Sequence, residues 1–318
     1  MNITIIGCGR WGSLITWYLD RTGHRVTLYG REGSARMQRF LETRSNDLLT
    51  LPESVALCTD LSCAKDAEVI IISIGSQSLR GLMQELQGMA LRNKTFVLCM
   101  KGLEIGTGKR LSQVAWEYLD DSNAIAVWLG PGHVQEFYRG VPNCMVIDSE
   151  DAGVKRRLVK EFSSDLIRFY YGTDLIGNEI GGAAKNVMGI AAGMLDGVGK
   201  TQMKGPLMSR GTYEVGKLIA AMGGNEMSAY GLCHLGDYEA TLFSEHSHNR
   251  RFGEMFVKGE KFDKLAEGYY TADAMVRLAD KYHVELPITR AVYDILYNGA
   301  DIDETLNRLF TRQIKPEF

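Results

Sequence analysis

The chain has 318 residues, 45% of them hydrophobic and 24% charged, and its formal net charge is −3. That length accommodates two domains with a core each, and the near-neutral balance excludes a global basic excess of the kind that draws a protein to nucleic acid or to an anionic membrane. The start "MNITIIGCG" has neither the basic stretch nor the long apolar stretch of a secretory signal, and no apolar run is long enough to span a bilayer.

Six cysteines (Cys8, Cys58, Cys63, Cys99, Cys144, Cys233) form no CxxC pair and no zinc-like set. They read as buried free thiols in a reducing, cytoplasmic setting.

The first half predicts strands at 2–7, 25–30, 68–74, 95–100, 124–130 and 143–148, with helical periodicity between several of them at 11–22, 78–92 and 107–119. The strands are continuous apolar runs such as "EVIIISI", the pattern of a parallel sheet covered on both faces. Strand–helix repetition of this kind predicts an α/β fold with a Rossmann-like doubly wound sheet.

"IIGCGRWGSLI" sets Gly7, Gly9 and Gly12 between the first strand and the first helix, with Arg10 and Trp11 inside the loop. A glycine triplet in that context is a dinucleotide-binding fingerprint. The first glycine makes the tight turn, the second admits the pyrophosphate, and the third packs helix on strand. The helix N-terminus then faces the phosphates with free N–H groups. The second strand ends "TLYGRE", with Arg31 where an acidic residue would bind a free ribose. Arg31 either pairs with a 2′-phosphate, stacks on adenine or lies on the surface, so the cofactor reads as NAD or NADP.

Beyond about residue 175 strand runs cease, and helical patterns follow at 178–197, 206–222, 227–235, 249–257, 271–282 and 287–297. The predicted domains are 1–177 and 178–318. Lys185 and Asn186 stand in "GGAAKNVMGIAAGMLDG", where small residues signal a buried helix and a charge needs a use. A lysine in such a pocket can serve as a general acid, and the surrounding glycines and alanines are expected to leave room for substrate and cofactor.

Several long motifs occur in one order: "MKGLE" (100–104), "LGPGHVQE" (129–136), "GNEIGGAAKNVMGIAAGMLDG", "SRGTYEVGKL" (209–218), "YGLCHLGDYEATLFSEHSHNRRFGEMFVKG" (230–259) and "EGYYTADAMVRLADKYHVELPITRAVYDILY" (267–297). In content and spacing, over nearly the whole chain, they resemble the bacterial-type NAD(P)-dependent glycerol-3-phosphate dehydrogenases. The resemblance implies an all-α C-terminal domain of the 6-phosphogluconate-dehydrogenase-like type, and a homodimer. It also implies reversible hydride transfer between NAD(P)H and dihydroxyacetone phosphate, supplying glycerol 3-phosphate for glycerophospholipid synthesis. Lys185 would be the acid–base group and Lys101 a second cation in the site. Asp237 would orient and tune the lysines, with Thr241 and Asn186 in the same network. Asn249 and Arg250 would bind the substrate phosphate with Lys101 and Lys185, and Glu136 and Glu267 would lie near the cofactor. Alternatives are a reductase of another small keto acid or phosphate, and a non-catalytic dinucleotide sensor.

The chain departs from the family pattern in places. Ser247-His248-Asn249-Arg250 replaces a permanent cation with histidine, so anion affinity is expected to rise as pH falls through the His248 titration. "LGPG" at 129–132 lacks two small polar groups, Gln202 stands where asparagine is usual, and Pro206 is expected at the first position of a helix. Arg251 reads as a solvated charge. His234, His246 and His248 lack the spacing of a metal motif, and no metal is expected.

Overall fold

The structure is a computed structural model and describes residues 1–314, 316 and 317. The chain divides into two compact units: Met1–Lys101 with Lys109–Glu179, and Gly102–Gly108 with the chain from Ile180 on. The short segment Gly102–Gly108, which a division at 177/178 assigns to the first domain, groups with the second.

The first unit holds one sheet of eight strands: β1 (Asn2–Ile6), β2 (Arg25–Tyr29), β3 (Ala56–Cys58), β4 (Val69–Ile72), β5 (Thr95–Leu98), β6 (Ala124–Leu129), β7 (Asn143–Asp148) and β8 (Ile167–Tyr171). Their order is β3-β2-β1-β4-β5-β6-β7-β8, so the chain leaves β1 on both sides, as a doubly wound fold requires. The inner strands β4 and β5 are buried at every residue, in keeping with their unbroken apolar runs.

Three expectations about this sheet need correction. β6 and β7 pair antiparallel, Trp128 opposite Ile147. Between them lies only the five-residue helix α5 (Val134–Tyr138). At about 1.5 Å per residue it is too short to carry the chain back along a six-residue strand, so the chain reverses instead. The strands β3 and β8 were not anticipated: β3 has three residues, and β8 leaves Arg168, Tyr170 and Tyr171 exposed, so neither forms a long apolar run.

The remaining helices of this unit are α1 (Arg10–Arg21), α2 (Ala35–Thr43), α3 (Leu79–Gln87), α4 (Leu111–Trp116) and α6 (Ala152–Phe162). Two of the predicted helical spans are shorter than their periodicity suggests. α3 gives way at Gly88 to a turn in which Ala90 has φ 50°, and α4 starts only at Leu111, after Gly106 and Gly108 adopt positive φ. A buried ion pair closes the unit, with Arg110 Nη1 2.5 Å from Glu179 Oε2, and the same carboxylate accepts from Ser112 N–H and Oγ–H.

Helix α7 (Leu175–Gly197) leads into the second unit, which continues with α8 (Lys204–Ala221), α9 (His248–Val257), α10 (Glu267–Tyr282), α11 (Pro287–Asn298) and α12 (Ile302–Phe310). The predicted helix at 227–235 is instead a pair of 3₁₀ turns, Glu226–Tyr230 and Leu235–Asp237, broken where Gly231 turns extended. Pro206 takes the third position of α8, not the first, and is tolerated because the N–H it lacks has no intrahelical partner in the opening turn. α12 escaped notice although Asp301 caps it by accepting Glu304 N–H, a signal present in "DIDE". The six cysteines are all free, but only Cys8, Cys99 and Cys233 are buried; Cys58, Cys63 and Cys144 are half-buried.

Helix α11 opens with Pro287, and the Leu286 that precedes it offers no capping side chain. The cap comes from α8: the Glu214 carboxylate accepts Ile288 N–H at 2.7 Å, Thr289 N–H at 2.9 Å and Thr289 Oγ–H at 2.6 Å. Burial pushes the Glu214 carboxyl up to about 7 against the pull of these donors and of Arg312. A raised carboxyl pKa means the folded state keeps a proton that the unfolded chain has released. Its stabilisation is full below the ordinary glutamate range and is lost as pH rises through about 7. Urea midpoints should therefore fall between pH 5 and pH 8 by a component of up to about 3 kcal/mol. Glu214→Gln should flatten that component; an unchanged decline in the variant would assign it to other groups.

Candidate active site

In the first unit the chain turns from β1 into α1 through the glycine triplet. Gly7 has φ 119°, and a Cβ there would lie 2.2 Å from the Ser73 carbonyl oxygen. A Cβ on Gly12 would lie 1.9 Å from the Gly7 carbonyl oxygen. Both positions are closed by protein. Gly9 differs: its φ is −76°, and the one atom near its missing Cβ is Arg36 Nη1 at 3.9 Å. The fold itself does not demand a glycine there, so the open space is a property of what approaches the loop.

Gly9 is also the N-cap of α1 and supplies no side-chain acceptor, which leaves the first N–H groups of the helix to a ligand. Trp11 packs edge-on against Phe137 with centroids 6.0 Å apart, and among the described residues its buried Nε1 has no hydrogen-bond partner. Arg10 reaches Gln135 at 3.3 Å, and burial lowers its pKa. An open glycine, unsatisfied helix N–H groups and an orphaned indole N–H fit a dinucleotide phosphate. Arg31 lies exposed in the loop after β2. Arg36, near Gly9, was missed because nothing in the spacing of α2 marks it.

Lys101 follows β5 and donates to the Gly130 carbonyl at 2.6 Å. Gly130 and Gly132 have φ 131° and 139°, and a Cβ on Gly132 would strike the Phe137 ring at 2.2 Å. The absent polar side chain in "LGPG" thus has a local cause: no side chain fits. Glu136 lies half-buried on α5.

In the second unit the small residues of α7 admit protein backbone. A Cβ on Gly193 would lie 1.8 Å from the Arg250 carbonyl oxygen of α9, and one on Gly189 would lie 2.8 Å from Thr241 Cγ2 and 3.2 Å from Asn249 Cβ. This corrects the expectation that these glycines leave room for ligands. They let α9 and a π-helical turn, Glu239–Phe243, approach α7 closely enough to place functional side chains.

Lys185 sits almost wholly buried on α7, its Nζ 2.9 Å from Asp237 Oδ2. The same ammonium donates to Thr241 Oγ1 at 2.7 Å, and Thr241 in turn donates to the Asp237 carbonyl at 2.6 Å. The Thr241 proton is thereby committed, and its lone pair is directed at the lysine. One residue on, Asn186 Oδ1 accepts from Asn249 Nδ2 at 3.0 Å, and Asn249 Oδ1 accepts Gly268 N–H at 2.9 Å. Glu267 precedes that glycine in the first turn of α10.

Arg250 Nε meets Asp196 Oδ2 at 2.6 Å, and Lys204 Nζ meets the same oxygen at 2.6 Å. Burial pushes Asp196 up, but hydrogen bonds from Lys204, Thr201 and Arg250 outweigh it and hold the carboxyl below its usual range. Glu254, which pairs with Lys258 at 2.6 Å, comes within 3.7 Å of Arg250. Lys204 and Arg250 thus share the single Asp196 carboxylate, and Lys258 is held by Glu254 with Glu260 nearby. Asp196 and Lys204 were missed because their meeting depends on the turn after α7. Arg251 is exposed, and His248 opens α9 with Nδ1 3.3 Å from the Leu265 carbonyl. His234 lies fully buried on the 3₁₀ turn.

A doubly wound unit with a dinucleotide cradle, and a second unit holding an ammonium out of water beside a carboxylate, meet the two needs of pyridine-nucleotide oxidation at a carbon bearing a hydroxyl. The protein falls in the class of NAD(P)-dependent dehydrogenases. The family model for the NAD-dependent glycerol-3-phosphate dehydrogenase N-terminus matches residues 2–155, and the model for the C-terminus matches 174–307. Full-length relatives agree. The chain is 36% identical to a glycerol-3-phosphate dehydrogenase [NAD(P)+] of Prosthecochloris aestuarii over 100% of both chains. It is 33% identical to one of Thermoanaerobacter sp. over 100% of this chain and 99% of that one. The crystal structure of the Coxiella burnetii glycerol-3-phosphate dehydrogenase superposes with a TM-score of 0.90 at 27% identity, covering 98% of this chain and 99% of that one. The chain belongs to the NAD-dependent glycerol-3-phosphate dehydrogenase family.

Gly9 and Gly12 should separate in mutagenesis. Gly9→Ala should keep the wild-type melting temperature to within about 1 °C yet weaken NAD(P)H binding by at least about tenfold, because no protein atom crowds its methyl group while a bound pyrophosphate would. Gly12→Ala should lower the melting temperature itself. Calorimetric titration beside a thermal melt reads both, and equal cofactor affinity in Gly9→Ala and wild type would contradict the assignment.

Proposed function

We propose that the protein interconverts dihydroxyacetone phosphate and sn-glycerol 3-phosphate with NAD(P)H or NAD(P)+. The observation that carries this reading is the Lys185 ammonium, buried and held by Asp237 at 2.9 Å and Thr241 at 2.7 Å. Bound NAD(P)H would supply a hydride to the substrate carbonyl carbon. As negative charge grows on the carbonyl oxygen, Lys185 donates its proton there, and in the reverse direction it takes the proton back. Asp237 keeps the lysine charged before reaction, since an opposite charge nearby favours the ionised form. Thr241 fixes the direction of the ammonium, and Lys101 supplies a second cation to the developing alkoxide.

Asn249 and Arg250 take the substrate phosphate, with Lys204 and Arg250 outnumbering the Asp196 carboxylate they share. Asn186 holds Asn249 in place through its carbonyl. Gly7, Gly9, Arg10, Trp11 and Gly12 bind the cofactor, Arg31 stands at its ribose end, and Glu136 and Glu267 contribute to the same binding. The enzyme acts as a cytoplasmic homodimer and supplies glycerol 3-phosphate for glycerophospholipid synthesis.

Nicotinamide absorbance followed with dihydroxyacetone phosphate, in parallel with NADH and NADPH, tests this reading. Turnover is expected with at least one cofactor, and Lys185→Ala should lower kcat by about 10²–10⁴-fold while cofactor affinity is retained. Cofactor binding with no turnover on this substrate would reject the substrate assignment, and a fully active Lys185→Ala would reject the proton donor.

A further inference from the structure

The turn that presents Asp237 is short and irregular. Leu235–Asp237 is a single 3₁₀ turn followed at once by the π-helical turn, so regular helix hydrogen bonding does not hold it. Two side chains flank the carboxylate, His234 and Tyr238, and both are completely buried. Polar groups this far from water are costly unless each finds a partner.

Here both do. His234 Nδ1 lies 2.9 Å from the Gly181 carbonyl oxygen on α7, and Tyr238 Oη lies 2.8 Å from His234 Nε2. A carbonyl can only accept, so Nδ1 carries the proton, Nε2 is the acceptor, and the tyrosine donates to it. The rings meet edge to face with centroids 4.8 Å apart.

Gly181 lies one helical turn before Lys185, so the histidine grips α7 at the carbonyl over which the lysine is stacked. A Cβ on Gly181 would lie 3.0 Å from His234 Cβ, which shows how close the turn comes to the helix. The Asp237 backbone N–H, finally, donates to the His234 carbonyl at 3.0 Å.

We propose that His234 and Tyr238 are a neutral positioning pair that pins the Asp237 turn to helix α7, and so holds the Asp237 carboxylate on the Lys185 ammonium. The inference rests on Lys185 being the proton donor. Burial pushes the His234 pKa down to about 4, so the pair is uncharged at neutral pH. Lys185 and Asp237 are the charged groups facing the imidazole, and Glu214 faces the phenol, whose pKa burial raises. A protonated His234 would set a second cation beside Lys185; a neutral one supplies direction without competing for the carboxylate. Apolar side chains could fill the same volume, but they would leave the turn free to slide by fractions of an ångström. Displacement of a catalytic group by about 1 Å can cost about 10²-fold in rate.

The test is the pH profile of kcat for ketone reduction, in wild type, His234→Ala, His234→Asn, Tyr238→Phe and the double variant His234→Ala/Tyr238→Phe, with Lys185→Ala beside them. Tyr238→Phe removes one hydroxyl and keeps the ring, so it remains informative even where His234→Ala fails to fold. It should lower kcat by about tenfold with KM nearly unchanged, and it should move the high-pH limb of the profile to lower pH as Asp237 loosens its hold on the ammonium. His234→Asn, whose amide can still donate to the Gly181 carbonyl, should retain more activity than His234→Ala. The double variant should be no worse than His234→Ala, since one linkage is broken only once.

A purely structural pair would lower the melting temperature and leave the kcat and pH limb of the folded enzyme unchanged, and that result overturns the proposal. If Lys185→Ala abolishes turnover while Tyr238→Phe and His234→Ala match wild type, the proton donor stands and the pin falls. If Lys185→Ala remains fully active, both fall together.

Discussion

A lysine ammonium placed out of water must be compensated on the spot, and much of the second unit follows from meeting that demand. Water would otherwise solvate the charge, and a single distant carboxylate could not replace it. The protein brings up a carboxylate and a hydroxyl within 3 Å of Lys185 Nζ, both from one irregular stretch between Asp237 and Thr241. For that stretch to reach α7, the helix must present no side chains along one face. Gly189 and Gly193 provide this, and the contacts they permit are to Thr241 Cγ2, Asn249 Cβ and the Arg250 carbonyl. The composition that looks permissive toward a ligand is the means by which the neighbours of Lys185 arrive.

The same logic of compensation is repeated about three turns further along α7. Asp196 draws Lys204 and Arg250 to one oxygen, and hydrogen bonding keeps it ionised despite burial. A lone arginine at a substrate site could fold onto any nearby acceptor; one whose Nε is already bonded has its plane fixed, and its remaining donors point in a settled direction. Helix α11 shows the principle with a carboxylate that serves only the fold: Glu214 satisfies N–H groups that Pro287 and Leu286 leave without a cap. Asp196, Asp237 and Glu214, all buried, are each paired or hydrogen-bonded.

How much of this was legible in the sequence depended on range. Lys185 is legible because a charge stands in a helix of small residues, whereas Asp237, Thr241, Asn249 and Arg250 are legible through the resemblance of their motifs to the family. The glycine loop is legible from its place between a strand and a helix. What was not legible were pairings between residues whose approach is decided by tertiary packing, such as Asp196 with Lys204, Glu214 with Thr289, or His234 with Gly181. Strand β8 escaped because one face is open and its exposed tyrosines break the apolar run. The reversal at β7 escaped because periodicity carries no sign: a strand reads alike in either direction, and only the shortness of α5 decides.

The departures from the family pattern acquire physical causes once packing is seen. Gly132 stands where a small polar residue is usual, and its positive φ together with the Phe137 ring leaves no space for any Cβ. Phe137 in turn supports Trp11 at the mouth of α1, so the missing polar group and the cofactor loop are linked by one aromatic contact. Pro206 lies in the opening turn of α8, where its lost N–H costs nothing and its ring stiffens the segment carrying Lys204. Each of these changes lies outside the buried cluster in which Lys185, Asp237 and Thr241 hold one another. The ion pair and its hydroxyl partner are built by α7 and the stretch from Asp237 to Thr241, which none of these changes touches.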